Sequence, residues 1–438
     1  MQMVPVRIAR ESGGWGAVLF FIALLQRYEV RTRMEHPLQE EGQQQMETDP
    51  TWTGIDWDAL KAELKAAAPS LGIDDIGIAS ADPFTELKQR LLRHRELGRE
   101  SGFEESDIEL RSNPALLFDR PASIIAIAVA YPSKLPDPPK SEPGSRRGIF
   151  ARASWGLDYH SALRDRLARL ETWLEERVPG LRAMSMVDTG ALSDRAVAER
   201  AGLGWSAKNC SIISPRLGSW IYLGEMITNL PLPPDTPLED QCGTCSKCID
   251  ACPTGALVGP GQLDSNKCVS FLTQTKTMLS DTYMRKIGNR LYGCDTCQIV
   301  CPANKGKNWT HHPELQPDPE LAKPLLLPLL TIGNREFKEK FGSVSGAWRG
   351  KKPIQRNAII ALGNFREQSA VPALIDVLRT DPRPELRGTA AWSLGMIGGE
   401  EAAEALRIAH TTETNEEASA AIARAMTALS KDLERVEE

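Results

Sequence analysis

The chain has 438 residues, of which 41% are hydrophobic and 25% are charged. This composition excludes a wholly disordered chain, and the length is sufficient for two or three globular domains. The formal net charge of -6 excludes a uniformly basic nucleic-acid-binding protein but is compatible with a local basic patch.

Residues 1–50 differ from the rest of the chain. Their apolar stretch, Ala17 to Leu25, is far shorter than the ~20 residues that span a bilayer, and no small-residue cleavage site follows it. We expect an extension that is disordered or mis-started, with Met34 or Met46 as the true beginning. We also expect no membrane partner.

Residues 51–230 alternate between helical and extended periodicity, which predicts an α/β domain. The predicted amphipathic helices are Trp57 to Ala68, Phe84 to Leu97, Asp158 to Arg177 and Ser193 to Ala201, with Ser193 as a candidate N-cap. The predicted buried strands are Ile73 to Ala79, Ser123 to Tyr131, Ala183 to Val187 and Trp220 to Ile227.

Residues 231–312 contain eight of the nine cysteines, in the runs CGTCSKCIDACP and CDTCQIVCP and at Cys268 between them. The first run has the C-x2-C-x2-C-x3-C-P spacing of bacterial ferredoxins, in which three cysteines bind one 4Fe-4S cluster and the fourth binds the other. The second run is one cysteine short, and Cys268 is the obvious replacement. We therefore predict a ferredoxin-like domain with two 4Fe-4S clusters, one held by Cys242, Cys245, Cys248 and Cys301 and the other by Cys252, Cys268, Cys294 and Cys297.

Structural zinc sites and disulfides are the alternative interpretations of these cysteines. Zinc ribbons separate their C-x2-C pairs by a longer hairpin, and a C-x2-C-x2-C run leaves its middle cysteine without a regular tetrahedral role. Disulfides need an oxidising compartment, whereas the chain has no convincing secretory signal. Because clusters favour a reducing compartment, we expect a cytoplasmic location, and we expect a small buried thiol at the ninth cysteine, Cys210.

A basic connector (residues 313–354) precedes a helical repeat region (residues 355–438). Residues 355–363 match residues 387–395 at an offset of 32 positions, and a second helix follows each copy. Each unit is a helical hairpin that buries its apolar face only against a neighbour, as in short HEAT-like repeats. A degenerate third unit is expected near Glu416 to Leu429. Such repeats usually present a surface to a macromolecule.

The end of the connector carries several cations with Phe337, Phe341 and Trp348 among them. Cations can track phosphates, and aromatic rings can stack on bases. Alternatively, the cations form a solvated face and the aromatic residues belong to the core, and Glu336 and Glu339 dilute the basic signal. The neighbouring redox centre and repeat module favour a large substrate.

Four segments carry a family resemblance: VDTGALSDRAVAERAGLGWSAKNC (residues 187–210), CGTCSKCIDACPTGAL (242–257), RLYGCDTCQIVCPANKGKNWTHH (290–312) and GKKPIQRNAIIALG (350–363). From about Trp57 onward the chain resembles the epoxyqueuosine reductase family. The resemblance implies reduction of epoxyqueuosine to queuosine at the wobble position of tRNAs for Asp, Asn, His and Tyr. It also implies cobalamin between the α/β and ferredoxin-like domains and a C-terminal HEAT-like domain that helps to bind the tRNA.

Further expectations accompany the resemblance. The chain lacks the D-x-H-x-x-G pattern, so cobalt is expected without a protein histidine ligand. An unidentified low-potential electron donor must supply the clusters. One cofactor set per chain is expected to work as a monomer.

The resemblance makes Asp188 the acid that protonates the departing epoxide oxygen, with a pKa raised enough to hold a proton near neutral pH. Because Asp188 follows an apolar run, it should lie at the end of a strand, where its alternative role is to cap the following turn. The resemblance also implies corrinoid contacts at Arg111, Ala151, Asp188, Ile212, Leu223, Ser270, Cys294 and Asp295. Charge and location alone assign tRNA contacts to Lys276, Arg335, Lys338, Arg349, Lys351 and Lys352.

Two rival functions remain open from the sequence. A cobalamin and iron-sulfur reductase of a small substrate, similar to reductive dehalogenases, would leave the basic segment and the repeats without a purpose. A non-enzymatic scaffold of metal knuckles and helical repeats would be a colourless zinc protein.

Overall fold

The apolar run Ser123–Ala130 forms a fully buried strand in the sheet of the first region, which is the predicted α/β domain (residues 51–230). The computed structural model describes residues 52–437, with side chains as far as residue 430, so the extension predicted at residues 1–50 lies outside the described residues. The strands, in chain order, are β1 (Asp75–Ser80), β2 (Ser123–Ala130), β3 (Ile149–Phe150), β4 (Ala183–Met186), β5 (Trp205–Ser206), β6 (Ile212–Ile213), β7 (Ile221–Thr228), β8 (Leu257–Gly259), β9 (Gln262–Leu263) and β10 (Arg290–Tyr292).

Strands β1, β2, β7 and β4 lie side by side in that order, and each neighbouring pair is antiparallel. The register places Met186 of β4 opposite Glu225 of β7. All four strands predicted from apolar runs are confirmed, with ends that shift by one or two residues. As predicted, Asp188 lies at the end of a strand, two residues after the last residue of β4. It follows β4 beside the middle of β7.

Helices cover both faces of this sheet. They are α1 (Trp57–Ala67), α2 (Thr85–Glu96), α3 (Ile108–Ser112), α4 (Tyr159–Glu175) and α5 (Asp194–Arg200). Asp158 caps α4, since its side chain accepts a hydrogen bond from His160 N. By contrast, Ser193, the predicted N-cap of α5, makes no capping hydrogen bond. Helix α4 packs against the face of the sheet that contains Gly224, and α5 packs against the opposite face, to which Glu225 belongs.

The cysteine region consists of short elements. Its helices are α6 (Lys247–Asp250), α7 (Val269–Leu272), α8 (Asp281–Ile287) and α9 (Thr296–Ile299), and β8 and β9 form a hairpin. Strand β10 pairs in parallel with β3 of the first region. This pairing joins the two regions at the segment that precedes Cys294.

The connector and the repeats are helical. Their helices are α10 (Pro319–Ala322), α11 (Leu327–Thr331), α12 (Asn334–Phe341), α13 (Lys351–Phe365), α14 (Val371–Thr380), α15 (Pro384–Ile397), α16 (Glu400–Thr412) and α17 (Glu416–Glu437). The predicted repeat is confirmed, with α13 and α15 as the matching first helices and α14 and α16 as the second ones. Helices α13 and α15 approach closely, because a Cβ at Gly363 would lie 2.7 Å from Ser393 Oγ.

One apolar core extends from the repeats into the other regions, since Leu362 and Ile422 belong to the same cluster as Phe150 and Leu291. Buried Arg356 on α13 adds polar ties, because its guanidinium donates to backbone oxygens of the cysteine region, and burial lowers its pKa to about 9. Residues 54–438 thus form one compact unit. The boundaries proposed at residues 51–230, 231–312, 313–354 and 355–438 stay predictions. Within the described residues, every helix is too short or too polar to cross a membrane.

Candidate functional site

The first group of thiols comes from the first cysteine run and the end of the second. The Cys248 thiol lies beside those of Cys242 and Cys301, and Cys301 also lies beside Cys245. The loop before α6 supplies Cys242 and Cys245, α6 itself supplies Cys248, and the turn after α9 supplies Cys301. The structure therefore brings together the four cysteines that the spacing predicts for one cluster.

The second group is assembled from three segments. The Cys268 thiol lies beside those of Cys252 and Cys294, and Cys297 lies beside Cys294 and Cys268. The Cys297 thiol also interacts with that of Cys248 in the first group, so the two groups adjoin.

The spacing of the thiols argues against zinc and against disulfides. Four thiolates around one zinc ion would lie about 3.8 Å apart, because Zn–S bonds are about 2.3 Å long and tetrahedral. Within the described residues, the only three side chains that place ligand atoms within 4.8 Å of one another belong to Asp74, His311 and His312. The thiol groups are thus more open than a single ion requires, and all nine cysteines are free.

Hydrogen-bond donors lie near both thiol groups. Although burial would raise the pKa of the Cys252 thiol, backbone N–H groups of the following turn outweigh burial and lower that pKa, and one of them, Ala256 N, lies 3.2 Å from Cys252 Sγ. The first group lines a cavity that Trp205 and Asn209 also line. Trp205 Nε1 and Asn209 Nδ2 are buried there without an acceptor among the described residues. A bound group with acceptor atoms, such as the sulfides of a cluster, suits these donors.

The Asp188 turn follows β4 and projects a carboxylate into solvent, with 61% of the side chain exposed. Asp188 has a φ of 52°, in the left-handed region that a non-glycine residue seldom adopts. Tyr159 O–H donates to Asp188 Oδ2 at 2.7 Å, and His160 Nε2 lies 3.5 Å from the same oxygen. On its other side, His160 Nδ1 lies 2.7 Å from Asp158 Oδ1. The first two residues of α4, Tyr159 and His160, thus approach the turn, and Asp158 holds His160 from its other side.

These neighbours make the expected raised pKa of Asp188 wrong. His160, and to a lesser degree Tyr159, lower the pKa of Asp188. Burial would lower the pKa of His160, but Asp158 and Asp188 outweigh it and raise that pKa to about 9. At neutral pH the proton therefore lies on His160 rather than on Asp188.

Two acids that the sequence did not single out lie behind the turn. Asp188 N donates to Asp194 Oδ2 at 2.8 Å. Burial, together with the charge of Asp188, raises the pKa of Asp194 to about 6, although its hydrogen bond with Glu225 opposes the rise. Burial and then Asp194 raise the pKa of Glu225 well above its ordinary value. The available signal was the single charged residue within the apolar run that predicts β7.

The expected corrinoid contacts occupy several elements. Ile212 lies in β6 and is buried, and Leu223 lies in β7, which pairs it with Ala128 of β2. Ser270 lies in α7, two residues after Cys268.

Three further expected contacts lie at the junction of β3 with β10. Ala151 N donates to Tyr292 O at 2.8 Å, just before Cys294. The buried carboxylate of Asp295 accepts from Arg152 N at 3.0 Å and from its guanidinium at 2.9 Å. The carboxylate of Asp295 is therefore already hydrogen-bonded to Arg152.

Arg111 lies in α3, and its guanidinium has no hydrogen-bond partner among the described residues. Its pKa is lowered, first by burial and also by the nearby positive charge of Arg195. Two guanidinium groups therefore face one area near Cys210, whose backbone oxygen accepts from Arg195.

The six cations predicted to contact tRNA differ in whether they already pair with another group of the protein. Arg335 pairs with Glu339 at 2.8 Å, and Lys352 pairs with Glu385 at 2.8 Å. Lys351 donates to a backbone oxygen. Lys276 and Lys338 are exposed and form no ion pair with any described residue, and Arg349 donates only to a backbone oxygen of Gln274.

The proposed base-stacking role is wrong for two of the three aromatic residues. Phe337 and Phe341 are buried in the core, as the alternative interpretation held. Trp348, however, is 53% exposed, and Phe103, which the sequence did not single out, is 40% exposed. Their rings lie 5.3 Å apart, and the Arg349 guanidinium lies 4.9 Å from the Phe103 ring. We call Phe103, Trp348 and Arg349 the aromatic patch.

Comparisons with known proteins match every region of the described chain. Three family models match it: Epoxyqueuosine reductase QueG over residues 111–189, a 4Fe-4S double cluster binding domain over residues 241–304, and HEAT repeats over residues 349–427. The epoxyqueuosine reductase of Bacillus anthracis is 64% identical over 363 residues, which make up 83% of this chain and 96% of that relative.

Two solved structures are also similar. A crystal structure of epoxyqueuosine reductase with a tRNA-Tyr epoxyqueuosine-modified stem loop is 59% identical, with a TM-score of 0.84, and the match covers 86% of this chain and 100% of that one. A structure of the Bacillus subtilis reductase, with its catalytic aspartate loop swung out of the active site, is 58% identical, with a TM-score of 0.83 and coverage of 85% and 100%.

Proposed function

This chain belongs to the epoxyqueuosine reductase family, and we propose that it reduces the epoxide of epoxyqueuosine in tRNA to the alkene of queuosine, with cobalamin and two 4Fe-4S clusters as cofactors. The chain is a tRNA-modifying oxidoreductase. Its reaction takes up two electrons and two protons and releases the epoxide oxygen as water. The observation that carries the proposal is the pair of adjoining thiol groups in a chain 59% identical to a reductase solved with its modified stem loop.

We assign the two cluster ligand sets as the spacing predicts them. Cys242, Cys245, Cys248 and Cys301 hold one cluster, and Cys252, Cys268, Cys294 and Cys297 hold the other. The adjacency of the thiols within each set supports this assignment. The second set is interleaved with the expected corrinoid contacts Ser270 and Asp295, so electrons would enter at the first cluster and leave from the second.

The residues expected to contact cobalamin fit a large, mostly polar cofactor. Arg111 and Arg195 have unused donors that suit phosphate and amide oxygens, and Leu223 offers an apolar contact. Asp295 would act by fixing the backbone at Arg152 rather than through a free carboxylate. When bound, the corrinoid supplies the low-valent cobalt chemistry that protein side chains lack.

We propose that Asp188 and His160 act together as the acid. His160 holds the proton at neutral pH, and Asp188 Oδ2 lies between His160 and Tyr159. Asp188 Oδ1 accepts no hydrogen bond from any described residue, which leaves it available to the departing oxygen of the substrate. The proton would pass from His160 to Asp188 and from Asp188 to that oxygen.

The tRNA surface that we propose combines Lys276 and Lys338 with the aromatic patch. Free cations contribute to phosphate binding, whereas cations already paired with carboxylates contribute less. Exposed aromatic rings can stack on splayed bases. Arg335 and Lys352 stay predicted contacts of lower weight, because each is already paired with a carboxylate. Lys351, which donates to the backbone oxygen of Ile332, also stays a predicted contact.

An anaerobic assay tests the proposed function. Chain loaded with cobalamin and clusters is given a chemical reductant and either epoxyqueuosine-bearing tRNA or the isolated nucleoside, and the product nucleoside is analysed by mass. We expect loss of one oxygen atom with tRNA and much slower loss with the free nucleoside. Equal rates would favour the small-substrate rival, and an iron-free chain that binds no corrinoid would contradict the proposal.

The remaining expectations stay predictions. They are a low-potential electron donor, a monomeric working unit, a cytoplasmic location, and preference for tRNAs for Asp, Asn, His and Tyr.

A further inference from the structure

Glu225 is a buried acid in an apolar setting. Its side chain is 1% exposed, and neither carboxyl oxygen has a donor among the described residues. It lies on β7 between Leu223 and Ile227, on the face of the sheet that packs against α5. An ionised carboxylate in this position would lose its hydration without compensation, so Glu225 retains its proton.

Among the described residues, the acceptor that interacts with the proton of Glu225 is the carboxyl group of Asp194. Two carboxyl groups in contact cannot both be ionised, and they therefore share one proton. Asp194 is the first residue of α5, so this hydrogen bond ties the helix to the centre of the sheet.

Asp194 has a second partner, which is the backbone of Asp188. Asp188 N donates to Asp194 Oδ2 at 2.8 Å, while the φ of Asp188 is 52°. A non-glycine residue keeps this left-handed conformation only when its surroundings hold it there. The register adds a direct route, since Met186, two residues before Asp188, lies opposite Glu225.

We propose that Asp194 and Glu225 share one proton and form a latch that holds the Asp188 turn in its working conformation. Glu225 donates to Asp194, and Asp194 accepts from Asp188 N, so a chain of hydrogen bonds runs from the middle of the sheet to the acid. Both are positioning residues, because Asp194 contacts the backbone amide of Asp188 and not its reacting oxygen, and Glu225 acts through Asp194. The proposal rests on the proposed function only in assuming that Asp188 acts on the substrate.

Hydrogen exchange at the Asp188 amide measures the latch without any turnover. In the fully loaded chain, Asp194→Ala removes the acceptor, and we expect that amide to exchange about tenfold faster. Asp194→Asn is the matched control. Its side-chain oxygen can still accept the hydrogen bond, so the backbone amide of Asp188 should stay protected in that variant. With tRNA as substrate, kcat of Asp194→Ala should fall roughly 100-fold, as expected when a reacting group is misplaced by about 1 Å, while KM stays unchanged.

The shared proton is tested at Glu225. In Glu225→Gln the side-chain N–H can still donate to Asp194, so protection and kcat should remain, whereas Glu225→Met removes the donor and should lose both. Unchanged exchange in Asp194→Ala would overturn the latch, and equal behaviour of the Gln and Met variants would overturn the shared proton. Iron content and far-ultraviolet circular dichroism identify a variant that fails to fold. If Asp194→Ala or Glu225→Met fails to fold, Asp194→Asn and Glu225→Gln test the proposal instead. Loss of protection of the Asp188 amide in both of these variants contradicts it.

The two possible failures are distinguishable. If the wild-type chain protects the Asp188 amide as described but does not reduce epoxyqueuosine in tRNA, the proposed function fails and the latch stands. If the epoxyqueuosine in tRNA is reduced but the Asp188 amide is unprotected, the latch fails and the proposed function stands.

Discussion

The cysteine region and the Asp188 turn are the two proposed functional centres, and the sequence encodes them in opposite ways. All eight predicted cluster ligands lie between residues 242 and 301, and their spacing alone sorts them into two sets. The Asp188 site is drawn from the start of α4, the end of β4, the start of α5 and the middle of β7. Metal ligands can be placed by short loops, whereas the protonation state of an acid depends on tertiary neighbours.

Loss of one cluster ligand should have the largest effect. Cys268→Ser replaces the lone cysteine of the second set, so we expect iron content to fall by about half, because one of the two clusters is lost. Turnover should then be undetectable, since electrons cannot reach the corrinoid. Cys210→Ser is the matched control, because Cys210 belongs to neither set. A Cys268→Ser chain with full iron content would contradict the ligand assignment.

Replacing the acid should separate the two centres. Asp188→Asn removes a carboxyl group that general acid catalysis makes worth about 10²–10⁴-fold in rate. Cluster absorbance and tRNA affinity should be unchanged, and the corrinoid should still bind, because the other expected corrinoid contacts remain. Turnover and the three binding measurements on the same preparation check this expectation. Loss of clusters in this variant would mean that the centres are not independent.

His160 should control the alkaline side of the pH profile. Because its pKa is raised to about 9, the imidazolium that supplies the proton persists at neutral pH, and activity should fall as the pH rises through about 9. His160→Gln should be slower by roughly 10²-fold and should lack that alkaline decline. The control is Tyr159→Phe, which keeps His160 and should keep the decline. An alkaline limb unchanged in His160→Gln would remove His160 from the mechanism.

Neutralising the free cations should weaken tRNA binding by about tenfold or more and leave chemistry intact. In the triple variant Lys276→Gln, Lys338→Gln and Arg349→Gln, the salt dependence of binding should fall by a slope of about 2 to 3, one for each lost phosphate contact. Arg335→Gln is the control, since Arg335 is already paired with Glu339. A triple variant with the wild-type salt slope would refute this surface.

The smallest effect concerns stability. Native Glu225 keeps its proton where an unfolded glutamate, with a pKa of about 4.3, has lost it. The native state therefore binds more protons, and Glu225 makes the chain less stable as the pH rises above that value. The facing groups Asp194 and Asp188 add negative charge, while His160 and Arg195 near the turn oppose it.

Glu225→Gln should remove this penalty. Its Tm should equal that of the wild type near pH 4 and exceed it by the equivalent of about 1 kcal/mol or more at pH 8. Oxygen-free thermal unfolding of both chains across this range is the measurement. A Tm difference that does not change with pH would mean that Glu225 is ionised in the folded chain.

Short sequence patterns predicted the features that depend on neighbouring residues in the chain, namely the strands and the grouping of the cysteines. The apolar runs placed β2 and β7, because buried strands need continuous apolar residues, and cysteine spacing placed the thiols. The prediction of a raised pKa for Asp188 was wrong, because Tyr159 and His160 of α4 contact the carboxylate and lower its pKa. Phe337 and Phe341 were ambiguous for a similar reason, since an aromatic residue beside cations can face either solvent or core. Glu225 within an apolar run was a readable signal of a buried acid.

The most direct test joins both centres in one single-turnover measurement. Chain whose clusters and corrinoid have been reduced in advance, with excess reductant removed, is mixed anaerobically with epoxyqueuosine-bearing tRNA, and cluster absorbance and nucleoside mass are followed together. We predict that the clusters reoxidise in step with loss of one oxygen atom from the nucleoside in the wild type, and that both changes are slower by about 10²-fold or more in Asp188→Asn. Oxygen loss without reoxidation, or in Asp188→Asn at the wild-type rate, would contradict the account.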